Sequence, residues 1–385
     1  MQLNKISQLS HINQGQIPGS KPVVSQTGDL YAGDVTLQGL IEQAILRKAA
    51  DLHLAANIPA MIRIDRNFVP LNITKLSPEL CKKLIYSVLN PQQIKQFEEH
   101  NELDLAFSVE KFGRIRMNVF KQKGFIGAAL RLLPKIIRSF AELNLPPVIN
   151  DIVTLPKGLV LVTGATGSGK TTTLASMIDY INEHRKCHII TIEDPIEFLH
   201  SPRQSIVTQR EVGADTENFH TGLKYVLRQS PDVILIGEMR DIETISSAIT
   251  LAETGHLVFA TLHTNDAAST INRIVDAFPA GQQAQIRSQL SLTLKAIIAQ
   301  QLLPHISGRG MVLCTEVLLI NDAIKNVIRE MKTEQIYSLI QTNRNNGMQT
   351  MNQSFVDNIG KRKISPKLAL EYSSHRDELV KLLSY

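Results

Sequence analysis

The feature that most constrains this chain is an apolar run, Gly158-Leu159-Val160-Leu161-Val162-Thr163, with Gly164-Ala165-Thr166-Gly167-Ser168-Gly169-Lys170-Thr171 directly after it. Next comes Thr172-Thr173-Leu174-Ala175-Ser176-Met177-Ile178, with apolar residues at helical spacing. The apolar run has the length and composition of a buried strand, and the loop reads G-x-x-x-x-G-K-[ST]. Strand, glycine-rich loop and helix in that order make a phosphate-binding loop within an α/β sheet. The glycines let the backbone curl so that successive N–H groups face phosphate oxygens, and the helix N-terminus adds its dipole. Lys170 is expected to reach the β- and γ-phosphates and the Thr171 hydroxyl to ligate Mg²⁺, with the rest of the loop and Thr172 also against the nucleotide. A chance glycine-rich turn would not come with both flanks.

Two more apolar runs end in carboxylates. His188-Ile189-Ile190-Thr191-Ile192 leads into Glu193-Asp194-Pro195-Ile196-Glu197, and Asp232-Val233-Ile234-Leu235-Ile236-Gly237 leads into Glu238. The carboxyl end of a buried parallel strand is where an open α/β sheet places its chemistry. Glu193, Glu197 and Glu238 are therefore the candidate water activators, with Glu193 and Glu238 also candidates for the metal shell. Helix caps and surface ion pairs are the ordinary alternative for such carboxylates. A further strand, Leu257 to Leu262, is bracketed by His256 and His263. Seven residues of strand span roughly 23 Å, so both imidazoles cannot touch one phosphate. His263, at the carboxyl end, is the candidate phosphate sensor, and His256 belongs near the other edge.

Before the loop, residues 1–35 are rich in Gln, Ser, Asn and Gly without periodicity and read as a flexible arm. Residues 36–134 read as a small α/β domain. In it, Arg114-Ile115-Arg116-Met117-Asn118-Val119 alternates strictly, so Arg114 and Arg116 share one strand face and Ile115, Met117 and Val119 face a core. A solvated face accounts for this pattern, and so does an arginine pair aimed at phosphate that Arg131 on the next strand could join. Residues 135–157, with Pro146 and Pro147, read as a linker and the start of the second domain, which runs over 158–385 and becomes helical from about 300. One long helix is expected from Gln282 to Leu303.

Composition bounds the function classes. The 385 residues are 43% hydrophobic and 20% charged, with a formal charge of +5. That is an ordinary globular mixture whose mild charge permits an anionic partner without demanding one. Cys81, Cys187 and Cys314 are far apart, so neither a disulfide framework nor a structural zinc site is expected, and a reducing, cytoplasmic setting is the default. No signal peptide and no membrane-spanning run are expected. The chain has no Trp, is 5% aromatic, and has no basic run interleaved with aromatics. A RecA-like nucleic-acid translocase is therefore a poorly supported rival, and no nucleic-acid partner is expected.

With these motifs placed, residues 36–385 resemble the secretion ATPase superfamily that powers type II secretion and type IV pili, and within it the pilus retraction (twitching motility, PilT-type) branch. The matching strings are Ala50-Asp51-Leu52-His53-Leu54, Gly113 to Phe120, Gly164 to Thr171, Thr191 to Glu197, Gly237-Glu238-Met239-Arg240-Asp241, Thr254 to Asn265, Ala323 to Glu330 and Gly347-Met348-Gln349-Thr350-Met351. The family's C-terminal motif usually has Arg where Lys325 stands. The assembly and type II secretion branches, the neighbouring alternative, commonly carry a four-cysteine insert that this chain lacks. The resemblance implies a PAS-like N-terminal domain followed by a RecA-like P-loop ATPase domain with a helical C-terminal part, nucleotide between the two domains, and a homohexamer acting on an inner-membrane pilus platform protein. It also implies that Arg114, Arg116 and Arg131 reach phosphate or a domain interface.

Overall fold

The computed structural model describes residues 35–64, 67–109, 113–133 and 136–384. The expected arm therefore lies, apart from Val35, outside the described residues. The chain is mixed α/β and divides into two compact units at Leu133/Pro134.

The first unit is built on six antiparallel strands: β1 (Asp51–Leu54), β2 (Met61–Ile64), β3 (Asn67–Pro70), β4 (Glu102–Val109), β5 (Gly113–Gln122) and β6 (Phe125–Leu132). Their spatial order is β3-β2-β1-β6-β5-β4. The alternation on β5 sends Ile115, Met117 and Val119 into a core with Leu52, Leu54, Ile62 and Leu130. Leu40, Ile41, Cys81 and Ile85, from the helices Leu37–Leu46 and Pro78–Tyr86, complete that core. Ser77 caps the second of these through the Leu80 amide at 3.1 Å, with Pro78 at its first position, as its Ser-Pro start predicts.

The second unit holds seven strands: β7 (Gly158–Thr163), β8 (His188–Glu193), β9 (Ile206–Glu211), β10 (Val233–Ile236), β11 (Leu257–Leu262), β12 (Leu294–Pro304) and β13 (Met311–Leu319). The order is β13-β12-β7-β11-β10-β8-β9, parallel throughout except for β12 with β13. Both faces are covered, which is why these strands read as continuous apolar runs. Leu159, Leu161, Ile190, Ile192, Ile234 and Ile236 pack to one side, where the helices Ile242–Glu253, Ala267–Asp276 and Ala280–Thr293 lie. Val160, Val162, Ile189, Val233 and Leu235 pack to the other, against the helix Lys170–His184.

Three readings are corrected. The helix expected over 282–303 ends at Thr293, and Leu294 to Pro304 is strand β12, parallel to β7. An apolar run buried on both faces has no period that separates strand from helix, and a free edge of β7 selected the strand. The helical C-terminal part, expected from about 300, begins at Asp322, after β13, which pairs antiparallel with β12. Residues 136–157, read as a linker and the start of the second domain, belong to the second unit and are packed there rather than free. Leu145, Ile149, Ile152 and Val153 are buried in the second unit's core, and a short helix covers Ile149–Val153. Strands β3 and β9 carry too little alternation to be read from sequence; both are sheet edges. Among the described residues no helix is long and apolar enough to cross a membrane.

Candidate active site

The order β7-β11-β10-β8 sets the carboxyl ends of four strands side by side. Leu262 is in register with Thr163, Ile236 with Ala260, and Ile236 with Ile192. The residues that follow these ends are therefore, in spatial order, the loop from Gly164, His263, Glu238 and Glu193. Connecting bonds hold the ends together: the Gly237 amide donates to Ile192 O at 2.8 Å, the Met239 amide to Thr261 O at 3.1 Å, and Thr261 Oγ1 to Gly237 O at 2.6 Å.

Gly164, Gly167 and Gly169 all have positive φ, and two of them show what the loop requires. Gly164 has φ +140°, and a Cβ there would lie 2.4 Å from Gln300 O on β12. Gly169 has φ +92° and is the residue from which the helix Lys170–His184 starts. Lys170 is buried, and its ammonium donates to Gly164 O at 2.7 Å and Ala165 O at 3.1 Å. Burial pushes the Lys170 pKa down, while Glu238 and Glu197 pull it back up. Among the described residues, the buried hydroxyls of Ser168, in the loop, and Thr163, just before it, have no hydrogen-bond partner. Orphaned donors beside a helix N-terminus suit phosphate oxygens.

Glu238 receives two partners, His263 Nε2 at 2.9 Å and Arg240 at 2.8 Å. Desolvation works to raise its pKa, but the Arg240 hydrogen bond and the charges of His263, Arg240 and Lys170 outweigh it, so Glu238 sits below the ordinary glutamate value. Glu193 is the opposite case. It is buried, it accepts from Thr191 Oγ1 at 2.6 Å and Gln209 Nε2 at 3.3 Å, and burial raises its pKa despite both bonds. Glu197 stands near enough to act on both Lys170 and Glu193. His256 is at the amino end of β11, where its Nδ1 lies 3.0 Å from Leu251 O.

The predicted arginines form a separate group on the first unit. Arg116 and Arg131 are directly opposite on β5 and β6, and Arg114 lies on the same strand face as Arg116. Asp51 is opposite Arg131 and also opposite Arg63, giving a row Arg63–Asp51–Arg131–Arg116 across four strands. Buried Asp51 accepts from Arg63 Nε at 2.5 Å and from Arg131 Nε at 3.1 Å. Arg131, expected to reach phosphate or a domain interface, is bonded to Asp51 within its own sheet. Sequence reading missed this partner, although Asp51 stands in a quoted string. It also missed Arg240 as the partner of Glu238, which its position two residues on could have signalled. Gln209, on edge strand β9, had no sequence signal.

This geometry agrees with the comparisons. The family described as Type II/IV secretion system protein matches residues 35–367. The chain belongs to that family. Within it, the type IV pilus retractation ATPase PilT of Pseudomonas aeruginosa is 47% identical over 323 residues, 84% of this chain and 94% of the relative. A twitching motility protein of Neisseria gonorrhoeae is 45% identical over 319 residues, 83% of this chain and 85% of the relative. A crystal structure of the pilus retraction motor PilT with bound ADP matches with a TM-score of 0.85 at 48% identity, covering 90% of this chain and 99% of that one. A secretion-family ATPase fold therefore carries the site.

Proposed function

We propose that the chain is an Mg²⁺-dependent ATPase that drives type IV pilus retraction, working as a homohexamer at the cytoplasmic side of an inner-membrane pilus platform. The observation that carries the ATPase part is the Glu238–His263 pair at the strand ends beside the Lys170 loop. The retraction part rests on relatives named for pilus retraction and twitching motility that align over most of this chain.

The residues fit the implied ligands. Ser168 and Thr163 offer orphaned hydroxyls, and Lys170 offers a buried cation, to the phosphates. The Thr171 hydroxyl and the carboxylates of Glu238 and Glu193 are oxygen donors, the kind Mg²⁺ takes, and these are the residues that would hold it. The chemistry Mg²⁺ would supply when held by these residues is neutralisation of charge on the β- and γ-phosphates. In this mechanism Lys170 leaves its loop carbonyls for phosphate oxygens. Glu238, ionised at neutral pH, orients the attacking water and accepts its proton, with Glu193 and Glu197 sharing the carboxylate work. His263, held by Glu238, senses the γ-phosphate.

The deciding experiment is ATP hydrolysis by the purified chain alongside its mass in solution, with and without nucleotide, followed by a deletion strain. A hexamer that turns over ATP, and a deletion that keeps pili but abolishes twitching, supports the reading. Loss of pili points to assembly instead. A chain inert toward ATP removes the mechanism.

A further inference from the structure

Glu316 lies on β13 in register with Ala299 of β12, which is itself in register with Thr163 at the foot of the phosphate loop. It is 4% exposed. A carboxylate this deep needs donors, and two reach it. Glu316 Oε1 accepts from the Ala267 amide at 2.9 Å, and the Met351 amide approaches as a weaker second donor. Both are the first amides of helices, Ala267–Asp276 and Met351–Gly360. Each helix has its own cap for a later amide: Asp266 takes Ser269 at 2.7 Å and Thr350 takes Gln353 at 3.2 Å. The first amide of each is left to Glu316.

The two helices belong to different parts of the second unit. Ala267 stands four residues after His263, which holds Glu238. Met351 ends the Gly347-Met348-Gln349-Thr350-Met351 string, a motif with no role in the mechanism above. That string is clamped to β13 on either side of Glu316. Val317 and Gln349 exchange backbone bonds at 2.8 and 3.1 Å, and Gln349 Nε2 donates to Thr315 O at 2.9 Å.

We propose that Glu316 is a positioning residue for ATP hydrolysis. By gripping the Ala267 amide it sets where His263 stands against Glu238, and by facing Met351 as well it ties that placement to the C-terminal helices. The proposal rests on the ATPase reading. Burial raises the Glu316 carboxyl to about 7, with the Ala267 and Met351 amides opposing and Asp266 adding to the rise. Tyr337, on the helix Ile336–Thr342, is the other titratable group acting with it. A charged acceptor holds an amide more tightly than a neutral one, so the grip strengthens as pH rises through about 7.

The test is Glu316→Gln in the full chain, with steady-state kcat and KM measured on either side of neutral pH. Ser365→Ala, which removes the cap of the helix Pro366–Tyr372, is the stability control. The glutamine keeps the shape and one acceptor but cannot ionise. The expected result is a kcat about 10- to 100-fold lower at an ATP KM changed by less than about twofold. The wild-type to variant ratio should grow as pH rises through neutrality. Ser365→Ala should lower the melting temperature and leave kcat alone. A variant with wild-type kcat at every pH, or a loss of kcat that the control shares, overturns the proposal. A wild-type chain that hydrolyses no ATP overturns the ATPase reading instead. Hydrogen exchange on the unaltered chain tests the grip without any variant: the Ala267 and Met351 amides should lose protection together as pH falls through neutrality, and independent behaviour overturns it.

Discussion

Two residues separate binding from chemistry. Replacing Lys170 by Ala removes the buried cation that two loop carbonyls now hold, and nucleotide affinity should fall by about tenfold or more, ~1.4 kcal/mol. Calorimetric titration with ADP measures it, and unchanged affinity would detach the lysine from phosphate. Replacing Glu238 by Gln should leave that affinity intact while kcat drops about 10²- to 10⁴-fold. Near-normal turnover would move the proton-accepting role to Glu193, which differs in kind: burial raises its pKa, whereas Arg240 and His263 lower that of Glu238. The string Gly237-Glu238-Met239-Arg240-Asp241 shows how one motif mixes jobs. Glu238 belongs to the candidate site, Arg240 partners it, and Asp241 caps a helix by accepting from the Thr244 amide at 2.8 Å.

At the level of elements, caps and packed helices decide local stability. Asp241→Ala should cost about 1 kcal/mol, the usual loss of an N-cap, seen as a lower urea midpoint with an unchanged slope. A larger loss accompanied by abolished turnover would mean that Asp241 does more than cap. Phe355, fully buried among Leu303, Val312, Cys314, Ile364 and Leu379, fixes the helix Met351–Gly360 against β12 and β13. Phe355→Ala should cost about 3–5 kcal/mol. A change below about 1 kcal/mol would mean that this cluster is not a core.

For the molecule as a whole, Glu316 gives stability a pH dependence. Burial raises its carboxyl from 4.5 to about 7, so the folded chain holds this proton more tightly than the unfolded one. Its contribution is complete below about pH 4.5 and lost as pH rises through about 7, up to ~3 kcal/mol in all. Wild-type melting temperature should therefore fall relative to Glu316→Gln over that window, and parallel curves for the two proteins would contradict the shift. Stability and hydrolysis then respond to Glu316 with opposite signs, because the ionised form is costly to bury yet holds Ala267 more firmly.

Sequence alone determined what local chemistry determines. The strand–loop–helix at 158–178, the alternation on β5, the Ser77-Pro78 helix start and the acidic strand ends at Glu193 and Glu238 are all written in short windows, because backbone propensity, pleat period and capping act over a few residues. The motif strings were sufficient to mark the family. Only the tertiary structure decided what depends on neighbours distant in the chain. The order β7-β11-β10-β8 brings His263 and Glu238 beside the loop, and no local pattern encodes strand order. The free edge of β7 turns Leu294–Pro304 into a strand where its apolar run also suits a helix. The pairing of Arg131 with Asp51, 80 positions away, and of Glu316 with Ala267, 49 positions away, comes from folding alone. A buried charge takes the nearest donor in space, and which donor that is depends on the packing of the whole unit.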